Sequence, residues 1–518
     1  MSVTYRIHPA IGIARVGDSV DDFFVGPEAP GVLPVPIRPD DASGHPATYK
    51  DAQRRIKRQG ARFRVYEYTA DAAGVVTAVR EITAAEAEIE WEVHLANRKA
   101  AAPRLQGTQR RNEKSAPDDL IIDAGPHRIG GARRPMQALH GTFMKTFDVQ
   151  LGDLLTDAAG RLIVLGGHGR SQSLPGAALE DFADNDGWCD DTADGPVTAT
   201  VRLPHNRASV AADPAWVIVA PPDFAPPLEN VVTLYDAVYN VMAGFDPSLG
   251  VGDATQVSFT RDIYPILRRV SNMHWVSEVA SRRHGPGMRL HFTTRLTELA
   301  SNTAANAASR EEVFNALRKP NGEGGGNMPK LPPLAVQKAP GASITEVQYK
   351  RMERWAQGRF DADWPGHEPA PVPLDQLPVR ERPHALDRAA LEACVGGPFF
   401  PGIEASRAML EEATYDVKRP FRIDARLEAG RLTERMAVPW QADFNDCSIE
   451  QGADWWPGQR PNEVRRGHHS HARWTPRWEH QDMVEKWSQL GFVVAKTVGK
   501  DVRYVEDERF LEPPHPQS

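Results

Sequence analysis

Cys447 ends the run Trp440-Gln-Ala-Asp-Phe-Asn-Asp-Cys447, four residues after Asp443 and one after Asp446. Carboxylates beside a thiol disfavour the thiolate, so this is a poor setting for a cysteine nucleophile. Taken alone, the segment reads as a buried structural cysteine. Two tryptophans follow in Trp455-Trp-Pro-Gly-Gln-Arg-Pro461. Further on, Glu479-His-Gln-Asp-Met-Val-Glu-Lys-Trp487-Ser-Gln-Leu-Gly491 predicts a helix closed by the glycine, with a strand after it. Met483, Val484, Trp487 and Leu490 share one helical face, and on spacing alone Trp487 is a core residue.

His468-His-Ser-His471, with His480 nearby, could bind copper or zinc. No third-ligand spacing stands out, and the flanking arginines favour a solvated loop. Gly322-Glu-Gly-Gly-Gly-Asn lacks the Gly-Lys-Ser/Thr ending of a phosphate loop, so a flexible loop is the better reading. No GxGxxG follows a strand and no GxSxG is present, which removes support for a Rossmann nucleotide site or a serine-hydrolase elbow.

The elements that must position these residues change along the chain. Ala61-Arg-Phe-Arg-Val-Tyr-Glu-Tyr68 alternates at period two, as a half-buried strand does. Arg161-Leu-Ile-Val-Leu165 and Trp216-Val-Ile-Val-Ala220 read as short apolar strands, whereas Ala84 to His94 fits helix and strand alike. From Asn230 onward the spacing turns to three and four, predicting helices at 230–240, 259–269 and 346–360. Pro- and Gly-rich stretches at 319–345 and 362–383 read as linkers. The fold expected is α+β, with a strand-rich N-terminal half and a mixed helical, long-loop C-terminal half carrying the site. The domains expected are a β-rich region 1–227, a mainly helical region 228–383 and a catalytic region 384–518.

Of 518 residues, 41% are hydrophobic and 25% charged, ordinary globular values. The 61 basic and 69 acidic residues are spread along the chain with a net charge of −8, so nucleic acid is not a natural partner. Three widely spaced cysteines, Cys189, Cys394 and Cys447, form no disulfide framework and fit a reducing compartment. No signal peptide opens the sequence and no apolar run approaches the roughly 20 residues of a membrane span. The expected location is the cytoplasm, with export left open.

The blocks as an ordered set resemble the quinoprotein amino acid oxidases, the family of L-lysine ε-oxidase and glycine oxidase. The resemblance runs from Ile7-His-Pro-Ala-Ile-Gly-Ile-Ala-Arg-Val-Gly-Asp18 and Phe23-Phe-Val-Gly-Pro-Glu28, through Trp188-Cys-Asp-Asp191 and Cys394-Val-Gly-Gly-Pro-Phe-Phe-Pro-Gly-Ile-Glu404, to Pro439–Cys447, Trp455–Pro461, Met483–Phe492 and Tyr504–Arg509. It implies cysteine tryptophylquinone, formed by oxygenating a tryptophan and joining it to a cysteine through a thioether. The cysteine is Cys447. The tryptophan chosen is Trp487, over Trp455 and Trp456. Asp443 takes the family's aspartate, needed for cofactor formation and implicated in the active site.

The implied reaction is oxidative deamination of an amino acid's primary amine. The amine forms a Schiff base, Asp443 removes the proton from the amine-bearing carbon, and O2 reoxidises the cofactor as NH3 and H2O2 are released. Tyr504 matches a contributing block, although Val505 stands where glycine oxidase has a histidine. Cys394 is expected to line the site or to pack, and His480 is an outside candidate for a polar contact. A flavoprotein maturation partner and homo-oligomerisation are expected from the family. Three alternatives stand beside this reading. One is a quinoprotein acting on peptide amines or passing electrons to a carrier. Another is a binding protein lacking mature cofactor. The third is a copper or zinc enzyme built on the histidine cluster.

Overall fold

The computed structural model describes residues 1–36, 48–105, 108–204, 208–320, 343–396, 405, 407–446, 458–466, 471–499 and 501–510. The chain divides into two compact units. The first comprises Met1–Pro222, Pro371–Ala393 and Pro401–Asp443; the second comprises Asp223–Ala370, Cys394–Phe400 and Phe444–Ser518.

The first unit is built on one large sheet. Its main strands are β1 (Ser2–His8), β2 (Ile11–Arg15), β3 (Arg58–Ala70), β4 (Val76–Ile82), β5 (Glu88–Asn97), β6 (Ile122–Gly130), β7 (Gln137–Phe143), β8 (Phe147–Thr156), β9 (Leu162–Gly166), β10 (Trp188–Asp190), β11 (Ala193–Arg202) and β12 (Ala215–Ala220). All but β1 and β4, which pair with β3, and β10, which pairs with Ser171–Ser173 in a separate two-stranded sheet, lie on one path, β6-β5-β11-β12-β2-β3-β9-β8-β7. The path curls until its ends approach. A Cβ on Gly141 of β7 would lie 2.8 Å from the Asp123 nitrogen of β6, so only glycine allows that closeness. The result is a nearly closed, barrel-like sheet. The pairing is mostly antiparallel, but β2 runs parallel to β12, with Trp216 opposite Ile11 and Ala220 opposite Arg15.

Of the ambiguous stretch at 84–94, residues 84–87 form a turn and strand β5 begins at Glu88. It pairs on both sides, with β6 and β11, and its alternate residues Ile89, Trp91, Val93 and Leu95 are buried. Burial of that alternating face marks the strand, and the Ala/Glu run before it closes a turn on Thr83. Two later segments complete the unit. Helix α4 (Arg382–Glu392) offers Asp387, which accepts from the Ala10 amide at 2.6 Å and meets the His8 ring at 2.9 Å. The segment before residue 443 is anchored by buried Asp194, which accepts from Thr433 Oγ1 at 2.6 Å and from the Trp216 indole at 2.9 Å.

The second unit holds α1 (Leu234–Phe245), α2 (Tyr264–Asn272) and α3 (Glu346–Ala356). A Thr233/Asp236 capping box starts α1 and a Thr345/Gln348 box starts α3. The helix expected at 259–269 opens with a π-helical turn, Phe259–Ile263, before α2. Most of the linker expected at 319–345 lies outside the described residues. Two hairpins follow: β13 (Glu463–Arg465) with β14 (His471–Arg473), and β15 (Phe492–Val498) with β16 (Asp501–Asp507). No helix among the described residues is long and apolar enough to cross a membrane.

Candidate active site

Asp443 sits in helix α5 (Trp440–Asp446), and its side chain is fully buried. Pro439 precedes the helix and offers no side-chain cap, so the cap comes from elsewhere in the first unit. Asp190, at the end of β10, accepts the Trp440 backbone amide at 3.0 Å. The same carboxylate oxygen accepts from the Lys99 ammonium at 2.6 Å, and that ammonium also donates to the Ala437 carbonyl at 2.7 Å. Lys99 is buried, which pulls its pKa below the ordinary lysine range while Asp190 opposes that pull. Gln441 is held by Ser171, whose hydroxyl donates to it at 2.7 Å, and by the Gly169 carbonyl at 3.0 Å. The entry to α5 is therefore gripped on three sides by polar groups from the sheet unit.

Beside this grip, Asp191 is wholly buried and its pKa is pushed up to about 7 by burial. Its Oδ2 accepts from the Arg170 amide at 3.1 Å. Cys189, one residue before Asp190, is a buried free thiol, and burial raises its pKa above the usual cysteine range.

The division between units falls within α5, after Asp443. In the second unit, the last part of α5 meets two groups. Phe444 stands 6.2 Å from the Phe224 ring, edge to face. The Asn445 side-chain amide lies 3.3 Å from His480 Nδ1, where the amide N–H donates and the ring nitrogen accepts. His480 opens α6 (His480–Lys486). The predicted helix does not reach Gly491. It stops at Lys486, and Trp487 begins a 3-10 turn, Trp487–Gln489. Of the face expected to be buried, Met483, Trp487 and Leu490 are buried and Val484 is half-buried.

Phe224 is the node of this region. Its ring lies 4.9 Å from Phe492 and 4.8 Å from Trp474, and its carbonyl accepts the Val493 amide at 2.7 Å. Trp474 donates its indole N–H to the Gly491 carbonyl at 2.9 Å. The turn that follows Trp487 and the helix that leads to Cys447 thus rest on one aromatic cluster.

Tyr504 lies in β16, opposite Ala495, with its ring 5.7 Å from Trp275 at 66°. Burial raises its pKa. Cys394 is buried, and its carbonyl accepts the Leu234 amide at the start of α1. Cys447, Trp455, Trp456, His468 and His469 lie outside the described residues. His471 donates its Nε2 to the His274 carbonyl at 2.7 Å, which commits that nitrogen to a backbone partner. Asn445, Asp190 and Lys99 were not singled out from sequence. Asn445 and Asp190 sit inside blocks noticed for other residues, whereas nothing around Lys99 marks it.

Two family profiles match the chain: L-lysine epsilon oxidase N-terminal over residues 8–219, and L-lysine epsilon oxidase C-terminal domain over residues 325–474. The L-lysine 6-oxidase of Marinomonas mediterranea is 29% identical over 554 residues, covering 86% of this chain and 71% of that protein. Among solved structures, the L-Lys epsilon-oxidase of Marinomonas mediterranea superposes with a TM-score of 0.78 at 24% identity, covering 98% of this chain and 95% of that one. A structure of that oxidase as its Schiff base intermediate with L-Lys matches with the same values. These likenesses establish the α+β fold.

Proposed function

The chain belongs to the L-lysine epsilon-oxidase family, and from that premise we propose that it is a quinoprotein oxidase that removes the primary amine of an amino acid. In this reading Cys447 and Trp487 are joined as cysteine tryptophylquinone. The observation that carries it is the convergence in the second unit. Phe444 and Asn445, just before Cys447, meet Phe224 and His480, and Phe224 also holds Phe492 beyond Trp487. A buried, tightly held tryptophan is what a fixed cofactor requires, because its orientation must not drift.

Built from Cys447 and Trp487, the quinone would supply an electrophilic carbonyl for a primary amine and a sink for its electron pair. Asp443 is the base for the proton on the amine-bearing carbon, and its complete burial keeps it out of bulk water. His480, with Nδ1 accepting from Asn445, turns Nε2 outward as a donor held in a set direction. Tyr504 forms a polar wall, and Cys394 lines or packs the site. Molecular oxygen is the electron acceptor, with NH3 and H2O2 as products. A flavoprotein assists maturation, the mature protein is a homo-oligomer, and the location is cytoplasmic. The functional partition places the catalytic region at 384–518, with 1–227 and 228–383 as its scaffold.

The test is mass spectrometry of a tryptic digest, coupled to a peroxide assay with L-amino acids, L-lysine first. The expected result is the Cys447 peptide joined to the peptide from Trp487 to Lys496, with two oxygens gained and four hydrogens lost, and amino-acid-dependent peroxide. Separate unmodified peptides and no peroxide, even after co-expression with a flavoprotein partner, would leave the chain as a scaffold without this chemistry.

A further inference from the structure

Arg465 closes β13 with its guanidinium carbon 4.7 Å from the centre of the Trp275 ring. That ring in turn meets Tyr504 edge to face. The arginine is only partly exposed, and its Nε is buried with no hydrogen-bond partner among the described residues. Its neighbours in the same unit are differently served. Arg466 pairs with Glu506 at 3.0 Å, Arg509 pairs with the same glutamate, and Arg268 and Arg269 share Glu229 at 2.7 Å each. No carboxylate lies within ion-pairing distance of Arg465 among the described residues. Burial and the nearby charge of Arg503 both pull its pKa down, as befits a cation whose surroundings bring no compensating anion.

A guanidinium kept partly out of water without an anion is costly, and its flat fork matches a carboxylate with two parallel hydrogen bonds. The Trp275 face holds the fork in one plane and reduces the freedom lost on binding. The location also fits. Arg465 pairs across its hairpin with His471, and the same hairpin runs directly into Trp474, which contacts Gly491 and Phe224 in the framework behind Trp487.

We propose that Arg465, with Trp275 and Tyr504 beside it, is the subsite that takes the carboxylate of the amino acid substrate, so that the protein prefers amino acids to simple amines. The proposal rests on the amine-oxidase reading above.

Its test compares wild type, Arg465→Gln and Arg465→Lys on two compounds: the L-amino acid that wild type oxidises fastest, and the amine left when that amino acid loses its carboxylate. Quinone absorbance normalises the active fraction. The ratio of kcat/KM for the amino acid to that for the amine is expected to fall about 30-fold in Arg465→Gln, with partial recovery in Arg465→Lys. An unchanged ratio overturns the proposal. Calorimetry with hexanoate, which has a carboxylate and no amine, needs no turnover. Wild type is expected to bind it and Arg465→Gln to lose it, and equal binding or none in both overturns the subsite. Absence of quinone and peroxide in wild type would instead sink the oxidase reading, while the hexanoate result would still report on Arg465.

Discussion

The side-chain amide of Asn445 and the ring of His480 meet at 3.3 Å across 35 residues of sequence. An amide nitrogen can only donate, so the ring nitrogen facing it must accept, and the tautomer of His480 follows from its neighbour. One contact thus ties Asn445 to the first residue of α6 and sets the proton position on the imidazole.

A double-mutant cycle on this pair tests whether the contact matters for turnover. Asn445→Ala and His480→Ala are each expected to lower kcat/KM, and the double variant to lose less than the sum, with a coupling of about 0.5–1.5 kcal/mol. Strict additivity would mean the two side chains act independently.

Asp443→Asn keeps the shape of a wholly buried side chain and removes its charge. Loss of a positioned base predicts a fall in kcat of about 10²–10⁴-fold, together with reduced quinone absorbance if the carboxylate also serves maturation. Full colour with full activity in this variant, or in Asp443→Ala, would remove Asp443 from the mechanism.

Lys99→Met leaves Asp190 buried with its cation gone, and breaking a buried pair in this way costs about 3–5 kcal/mol. The expected outcome is a clear drop in thermal stability. The double variant Lys99→Met with Asp190→Asn should recover part of it, because no uncompensated charge remains. Asp190 also accepts the Trp440 amide, so residual activity at low temperature reads out how far α5 has shifted.

Asp191 makes stability depend on pH in an unusual direction. Its pKa in the folded protein is about 7, above the roughly 3.9 of an unfolded aspartate. The folded state therefore holds a proton that the unfolded state releases. The stability this contributes is complete below about pH 4 and is lost as pH rises through about 7. Asp191→Asn should abolish that dependence, giving a melting temperature at least ~2 °C above wild type at pH 8 and a smaller difference at pH 5. An equal difference at both pH values would mean that Asp191 is already ionised at pH 5.

Much of the fold was legible because burial leaves a period in the sequence. The alternation at 61–68 falls within β3, and the apolar run at 216–220 is β12, but nothing in that run announces a parallel partner 200 residues earlier. Residues 84–94 read as helix and strand alike because the alanine- and glutamate-rich start closes a helix-like turn on Thr83, while the residues from Glu88 pair on both flanks as strand. The helix through Trp487 was drawn one turn too long because a 3-10 turn keeps apolar residues at nearly helical spacing. In the site, Asp443 beside Cys447 argued against nucleophilic chemistry until the whole set of blocks was read together. Lys99 could not be found that way: a lone lysine has no pattern, and only the fold reveals that its charge is out of water.

The parallel pairing of β2 with β12 also sets an order of assembly on the ribosome. Residues 11–15 emerge early, yet one flank of that strand has no neighbour until residues 216–220 have been synthesised. Until then an apolar strand, Ile11-Gly-Ile-Ala-Arg15, presents an open edge in the nascent chain, the kind of surface on which chains stick to one another. Closing that gap is a long-range event, slow by the nature of its loop. Expression yield of this protein should therefore respond to chaperone supply and to translation speed across the first 220 codons more than to changes made in its later helices.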